Sequence, residues 1–421
     1  MHQYFSTQNG SGSSRSYNFA KSLVKLGHSV KIICFKGSRE NTGLKNNFKN
    51  GWRTGFTEGI EIIEFDIPYS NYDSILIRSF KFLFFSLKAL RFIFFADVDL
   101  ILASSTPLTI SLPAIAARWF KGIPYIFEVR DLWPELPVAM GVIKNPILIK
   151  ILSLLEWLSY KSSIACVGLS PGICQGIIKR GVKPENVSFI PNFCDEKIFK
   201  PLEKDTLKKP ELINGLIQRF DRDDFIAVYA GAHGLANGLD SVIDAAIQIE
   251  KKGYSKIKIL FIGDGKLKPR LIERVKDIGL KNCFFLGLIP KIELAKILKN
   301  SVHVGLMVLS NYPEFYKGTS PNKFFDYLAC GLPIINNYPG WLAEIIKENN
   351  CGLVVEPEDP HSFADAIIKL SKDDALIRKL GENSFKISKD KFSKNNASKK
   401  FTELVDNKFI FFKKQKRIRE S

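Results

Sequence analysis

Short apolar runs alternate with longer amphipathic stretches along almost the whole chain, and this alternation limits the fold more than any other feature. In the first half a helix over about 13–26 precedes the strand HSVKIICF. VDLILASS, a helix over about 107–120, the strand PYIFEV, a helix over about 146–161 and SIACVGLS follow. In the second half the strands are FIAVYAG, KIKILFIGDG, NCFFLGL, VHVGLMVL, LPIINN and GLVVE, and helical stretches begin near 238, 267, 290, 320, 341 and 360. Strand–helix alternation calls for parallel sheets covered on both faces. Two such series predict two doubly wound α/β domains, over 1–190 and 191–390, with residues 391–421 beyond them. The boundary is set by PNFCDEKIFKPL, where Pro191 and Pro201 punctuate the chain before a polar stretch. One defect accompanies the pattern. A doubly wound domain opens with a buried strand, yet the GSGSS turn begins at Gly10 and leaves only HQYF for it. Either that strand is very short or the true start lies upstream.

Charge is the second constraint. The 421 residues carry 61 Lys plus Arg against 43 Asp plus Glu, a net +18, with 33 Phe. Such a surplus suits nucleic acid, phosphorylated ligands or an acidic membrane surface. Its position discriminates among them: residues 1–121 and 408–421 hold twelve of the eighteen charges, and the middle resembles an average enzyme. A nucleic-acid binder would spread its basic residues along recognition elements. SILIRSFKFLFFSLKALRFIFF, residues 74–95, drawn as a helix, gathers Arg78, Lys81, Lys88 and Arg91 within about 140°. Phe82, Leu83, Leu87, Leu90 and Phe94 lie on the other face. Four central charges at roughly 2.5–3.5 kcal/mol each outweigh the apolar gain of spanning a bilayer. The stretch therefore reads as a basic amphipathic helix in the headgroup plane, or else as a core-facing helix with a solvated basic face. KFIFFKKQKRIRE, residues 408–420, reads as a second peripheral anchor or as a disordered basic tail.

No segment reads as a secretory signal or a full transmembrane span. Cys34, Cys166, Cys174, Cys194, Cys283, Cys330 and Cys351 are scattered without CxxC pairing, as expected of buried thiols in a reducing cytoplasm. The five His show no metal-ligand spacing. Asp97-Val98-Asp99 precedes its strand, where a metal-binding DxD would follow one, and reads as a solvated strand entry. No metal site and no cofactor are expected.

Ligands of doubly wound domains gather at the carboxyl ends of the strands. NGSGSSRSY places Gly10, Gly12 and Ser13 between a strand and a helix, where N–H groups suit a phosphate or an acceptor sugar; a plain turn is the alternative. FEVRDLWPELP packs Glu128, Arg130, Asp131 and Glu135 after the strand PYIFEV, beside Trp133 and Pro134. Its carboxylates suit proton transfer or the fixing of a sugar hydroxyl, against the plainer reading of a surface ion cluster. GTSPNKFFDYLACG is the most informative segment. Ser320 reads as an N-cap and Pro321 as the first helical residue, so the helix start around Asn322, with Lys323, makes a diphosphate seat. Asp326, three residues on, falls on the same face and suits ribose hydroxyls. YAGAHGLANGLD offers Gly231 and Gly238 for close approach, with His233 and Asn237 as polar contacts. GDGK, with Gly263, has the character of a simple turn.

Together these residues resemble the retaining GT-B glycosyltransferases of family 4. The likeness runs through HQYF with its glycine loop, EVRDLWPE, IPNFCD, YAGAHGLANGLD, FIGDG, FFLG and GTSPNKFFDYLACGLPII. Within that family the chain is most similar to the N-acetylfucosamine-transferase-like enzymes of O-antigen and capsule assembly. The resemblance implies two Rossmann-like domains with an interdomain cleft, the donor on the second domain and the acceptor on the first. It also implies metal independence and a final helix, here FSKNNASKKFTELVD, that crosses back to the first domain. The chain departs from the family in three places. Gly318 stands where a first Glu commonly precedes Asp326, with Glu314 out of register. Arg130-Asp131 replaces a His-Asp, and the GAHGLANG loop lacks a basic residue.

The expectation is thus a retaining glycosyltransferase that moves a sugar from a UDP-sugar to a lipid-linked acceptor on the inner face of the cytoplasmic membrane. Lys323 with N–H groups near Ser320 and Gly12 would stabilise the leaving diphosphate, Asp326 would hold ribose, and the backbone from Gly287 to Pro290 would meet the base. Two rivals share parts of the pattern. A UDP-N-acetylglucosamine 2-epimerase shares the fold and donor site, and a non-enzymatic nucleic-acid binder would explain +18 but not the PNKFFD helix.

Overall fold

The computed structural model describes residues 1–37, 40–70, 72–199, 220–221 and 223–420; Pro201 and the polar stretch after it lie outside these. The chain divides into two compact units. The first comprises Met1–Asn192, Lys317–Ser320 and Asn395–Ser421, the second Phe193–Tyr316 and Pro321–Lys394.

In the first unit β1 (Val30–Gly37), β2 (Trp52–Thr57) and β3 (Ile60–Tyr69) form a three-stranded sheet in the order β1-β3-β2. β4 (Ile101–Ser104), β5 (Tyr125–Val129), β6 (Ala165–Gly168) and β7 (Val187–Phe189) form a four-stranded parallel one. The single sheet expected for this half is therefore divided. The seam between β1 and β4 holds only the first residues of the chain. The His2 N–H donates to Ile33 O (3.2 Å), Phe35 N–H to Gln3 O (3.3 Å) and Ser104 N–H to Met1 O (3.0 Å). The antiparallel hairpin β2–β3 lies outside the strand–helix alternation. It turns on Glu58 and Gly59, both at positive φ (50° and 82°), the primed geometry that matches strand twist.

The helix Ile75–Phe95 starts at Ser74, whose side chain accepts from the Ile77 N–H. It meets both readings of its sequence in part. Phe82, Phe85, Ala89 and Ile93 recur at helical spacing and are buried against β3 and the helix Ser111–Phe120. Leu83 and Leu87, on the expected lipid-facing side, are exposed, as are Phe80, Phe84 and Phe95, whereas Phe82 from the same expected face is in the core. A helix this rich in Phe has enough apolar surface for both.

The helix Arg15–Lys25 is held by a buried charge cluster. Arg15 is 2% exposed, its Nε donates to the Glu128 carboxylate on β5 (2.8 Å), and its Nη groups donate to Pro191 O (2.5 Å) and Ile190 O (2.8 Å). A single guanidinium thus joins the first helix, the central strand and the segment after β7. The last helix, Lys394–Glu420, packs on the same unit. Phe401 stacks on Phe19 with ring centroids 4.0 Å apart, Lys408 donates to Glu185 O (2.8 Å), and Lys413 approaches Asp99 (3.8 Å). The crossover segment and the basic carboxyl end are thus one 27-residue helix. The side chains of Lys416, Arg417 and Arg419 lie outside the described residues.

The second unit is one parallel sheet of six strands: β8 (Phe225–Ala230), β9 (Ile257–Ile262), β10 (Cys283–Leu286), β11 (Val304–Met307), β12 (Ile334–Asn336) and β13 (Gly352–Val354). Their order is β10-β9-β8-β11-β12-β13, the doubly wound order with its switch point between β8 and β11. Alternate residues feed opposite cores. Ile226, Val228 and Leu260 pack on the helix Asn322–Cys330, while Ala227, Ile259 and Phe261 pack on the other face with Val242 and Phe363. The expected strands and helices of this half are all present within a few residues.

Removing the partner of buried Arg15 should be costly. Glu128→Gln is expected to destabilise the chain by about 3–5 kcal/mol in chemical denaturation. Burial alone would raise the Glu128 carboxyl, but Arg15, Arg130 and the Ser104 hydroxyl hold it at about 2, below its ordinary 4.5. A depressed carboxylate stabilises fully above its unfolded value. In the wild type this contribution is therefore lost as pH falls from 4.5 toward 2, and the Gln variant should lack that acid limb.

Candidate active site

In the second unit the site assembles at the switch point. β11 pairs with β8 only at Val304–Ala227 and Gly305–Val228. Beyond that the Tyr327 hydroxyl takes over, accepting from the Ala230 N–H (2.9 Å) and standing 3.3 Å from Val228 O. A Cβ on Gly305 would come within 2.4 Å of the Tyr327 ring, so glycine makes room for this wedge. The helix Asn322–Cys330 that carries Tyr327 thereby has its amino end fixed at the carboxyl end of β8.

Lys323, one residue into that helix, lies with Nζ 3.9 Å from the centroid of the Tyr229 ring. A Cβ at Gly231 would meet its Cε at 3.0 Å and its Nζ at 3.1 Å, so the glycine is what admits the lysine. Gly263 at φ 138° abuts the same loop, where any side chain would strike Gly231 O at 1.9 Å. Burial lowers the Lys323 ammonium to about 7, and no carboxylate among the described residues pairs with it. A half-buried cation beside the free N–H groups of a helix start is a seat for an anion. Tyr229 also organises the glycine loop through its hydroxyl, which lies 2.8 Å from both Ala232 O and Asn237 Oδ1.

Three donor-side expectations are corrected. Ser320 does not cap the helix. Pro321 occupies the cap position without a side-chain bond, and Ser320 belongs to the first unit, where its carbonyl accepts from Asn192 Nδ2 (2.6 Å). Proline at the cap leaves Asn322 as the first helical residue. His233 does not offer its ring to a ligand. The imidazole is fully buried among Tyr229, Phe261 and Phe285, with centroids 6.0–6.3 Å away, because the strands on either side present aromatic residues there. Asp326 does not share the outlook of Lys323. Three residues advance the helix by about 300°, and the 60° difference turns Asp326 toward Lys291 (3.1 Å), where it is 6% exposed. Burial raises its carboxyl and Lys291 opposes that rise. Gly287 stands exposed at the end of β10, beside a clamp made by Lys268, whose Nζ donates to Gly263 O (2.9 Å) and Leu286 O (2.7 Å).

In the first unit the carboxyl ends of β4 and β5 bring together Ser104, Glu128, Arg130 and Asp131. Glu128 accepts from Arg15 and from Ser104 Oγ (2.7 Å), and Arg130 Nε lies 3.3 Å from its other oxygen. The expectation that Glu128 handles protons fails on this geometry: a saturated carboxylate held near 2 is an anchor. Asp131 is different. It is partly exposed, accepts one hydrogen bond, from Thr106 Oγ1 (2.8 Å), and burial raises its carboxyl against the opposing pull of Thr106 and Arg130. Arg130 Nη2 is buried with no hydrogen-bond partner among the described residues. The Gly10–Ser13 loop precedes the first helix, where Ser13 Oγ accepts from the Arg15 N–H at 3.4 Å. Glu135 is exposed on the short helix Glu135–Ala139 and stands apart from the cluster. Among the described residues no group of three His, Cys, Asp or Glu could hold a metal ion.

Sequence reasoning missed Arg15, Tyr229, Lys268, Lys291 and Tyr327. Arg15 lies within the quoted NGSGSSRSY and Tyr229 within YAGAHG, but neither spacing reveals which long side chain turns inward.

Comparison with known proteins fits this anatomy. Residues 12–197 match the family model described as Glycosyltransferase Family 4, and residues 217–387 match that described as Glycosyl transferases group 1. The chain is 26% identical over 205 residues to N-acetyl-alpha-D-glucosaminyl L-malate synthase of Bacillus anthracis, covering 48% of this chain and 49% of that protein. It thus spans about half the length of that relative. It is 23% identical over 314 residues to the capsular polysaccharide biosynthesis glycosyltransferase CapM of Staphylococcus aureus, covering 73% and 77%. Anabaena HepE, solved in complex with UDP and glucose, superposes with a TM-score of 0.68 at 14% identity over 96% of this chain and 98% of that one, a likeness of fold. With the two domain models matched in order along the two units, the chain belongs to the GT-B glycosyltransferases, a family 4 domain followed by a group 1 domain.

Proposed function

We propose that this chain transfers a sugar, with retained anomeric configuration and without a metal ion, from a UDP-sugar to a lipid-linked saccharide in the assembly of a bacterial surface polysaccharide, as in O-antigen or capsule, on the inner face of the cytoplasmic membrane. The single observation that carries the reading is Lys323, a half-buried ammonium with no carboxylate partner among the described residues, at a helix start beside the switch point. A diphosphate there receives a full charge, helix N–H groups and the backbone of the Gly231 loop. It develops negative charge as the sugar leaves, and preorganised donors lower the barrier most where charge appears. The backbone after Gly287 would receive the base, and the ribose would lie between it and the diphosphate. The UDP complex of HepE and the capsular role in the name of CapM support the donor and the pathway. The subgroup reading, N-acetylfucosamine-transferase-like, rests on the sequence motifs alone.

On the acceptor side Asp131 is the carboxyl suited to hold or deprotonate the attacking hydroxyl, and Arg130, whose buried Nη2 has no hydrogen-bond partner among the described residues, adds positive charge beside it. The membrane reading rests on a broad apolar face. The helices Ile75–Phe95, Ser111–Phe120 and Pro146–Ser162 are neighbours in the first unit. They expose Leu76 (82%), Phe120 (75%), Ile151 (58%) and Leu154 (56%), with Lys and Arg interspersed. Among the described residues no helix is long and apolar enough to cross a membrane, so such a face would lie in the interface plane.

Three outcomes test this. Calorimetry with UDP should show affinity falling as pH rises above 7, because diphosphate binding favours the protonated lysine; Lys323→Met should bind at least roughly tenfold more weakly and lose that pH dependence. Asp131→Asn, assayed in EDTA with donor and lipid-linked acceptor, should lower kcat by roughly 10²–10⁴ while UDP affinity stays unchanged. An inverted product, or activity that needs added divalent ion, would overturn the mechanism. Ile151→Ser with Leu154→Ser should reduce binding to anionic liposomes in flotation without changing UDP affinity.

A further inference from the structure

In the second unit the chain leaving β10 has little backbone support. β10 is an outermost strand of its sheet and pairs with β9 as far as Leu286–Ile262. Beyond it the N–H groups of Gly287, Leu288 and Ile289 have no backbone partner among the described residues before the helix Lys291–Asn300 begins. Gly287 answers no packing demand either. Its φ is not positive, and a Cβ there would meet nothing within 4 Å.

The neighbouring glycine loops are the reverse. Gly231 N–H donates to Ile262 O (2.9 Å), His233 N–H to Asp264 O (3.0 Å) and Leu267 N–H to His233 O (3.0 Å). The loops after β8 and β9 thus interlock through their own main chains. A Cβ at Gly263 would strike Gly231 O at 1.9 Å, and one at Gly265 would strike His233 O at 2.6 Å, so the two loops lie in direct backbone contact. Lys268, the first residue of the helix Lys268–Ile278, stands between this rigid pair and the unsupported strand end. Its Nζ donates to Gly263 O (2.9 Å) on one side and to Leu286 O (2.7 Å) on the other. Burial lowers its ammonium and Asp264 opposes that, yet both of these hydrogen bonds go to main-chain carbonyls. A charged donor shared by two carbonyls fixes the planes of two peptides.

The second of those planes decides what the strand end presents. Leu286 O also accepts from Gly263 N–H (3.3 Å), so it points toward β9. A trans peptide sends the next N–H the opposite way. The Gly287 N–H therefore faces out from the open edge of the sheet. We propose that Lys268 is a positioning residue for the nucleotide base: it ties the end of β10 to the interlocked glycine loops and holds the Gly287 N–H ready for a base edge, without itself touching the nucleotide. The inference rests on the donor reading above, in which the base lies on the backbone after Gly287. It confines the effect of the lysine to the nucleoside half of the ligand, because the Gly231 loop at the diphosphate seat is fixed by its own hydrogen bonds.

Calorimetry on the full chain, with UDP and separately with inorganic pyrophosphate, tests this. Lys268→Met should lower UDP affinity roughly tenfold while pyrophosphate affinity stays unchanged. Lys268→Arg, which keeps donors for both carbonyls, should recover most of the UDP affinity. Lys268→Gln, with a shorter neutral donor, should fall between the two and stands in for the methionine variant if that one does not fold. Gly287→Ala should keep the wild-type Tm and lose UDP affinity with the same selectivity, because its methyl takes space that the base requires. Equal losses of UDP and pyrophosphate affinity in Lys268→Met, or unimpaired UDP binding in Lys268→Met or in Gly287→Ala, would overturn the proposal. Absence of UDP binding in the wild type would overturn the donor reading itself, and the proposal with it.

Discussion

The first unit depends on one buried guanidinium. Arg15 reaches Glu128 at the end of the central strand and two carbonyls after β7, so three segments far apart in the chain share one positive charge. The desolvation of that charge is offset only if every donor finds its acceptor, and the rest of the neighbourhood follows from this demand. Glu128 must stay ionised, Ser104 must donate to it, and Arg130 is drawn alongside. The carboxylate that looks most catalytic is thereby committed to structure, and Asp131, outside the cluster and only singly hydrogen-bonded, is left for chemistry.

The second unit applies the opposite device. Lys323 is desolvated without a partner anion among the described residues, held over an aromatic ring by a helix whose tyrosine wedges apart two central strands. A paired lysine would be a structural element; an unpaired one, with its charge weakened to about 7, gains from whatever anion arrives. Glycines 231 and 263 serve this directly, since side chains at either position would occupy the space of the lysine or of the loop carbonyl.

Much of this was legible beforehand. The six strands of the second unit, their helices and the long Phe-rich helix follow from apolar periodicity, which depends on local spacing alone. The glycine loops and the PNK helix start were readable because backbone geometry restricts which residues such turns accept. The roles of side chains were less legible. His233 and Asp326 sit at the right positions but turn into the core, and Ser320 gives its carbonyl to Asn192. A helix start fixes N–H groups, whereas the direction of a long side chain is settled by neighbours from distant strands.

The sequence by itself determined the α/β alternation, the switch-point glycines and the concentration of basic charge at the two ends, because each is a property of composition and near-neighbour spacing. Only the tertiary structure decided that the acidic cluster after β5 divides into an anchor and a partly exposed carboxyl with one hydrogen bond, and that Lys323 has no carboxylate partner among the described residues. Each of these depends on pairing between segments more than a hundred residues apart, or on one burial environment, and such pairings leave no periodic trace in a single chain.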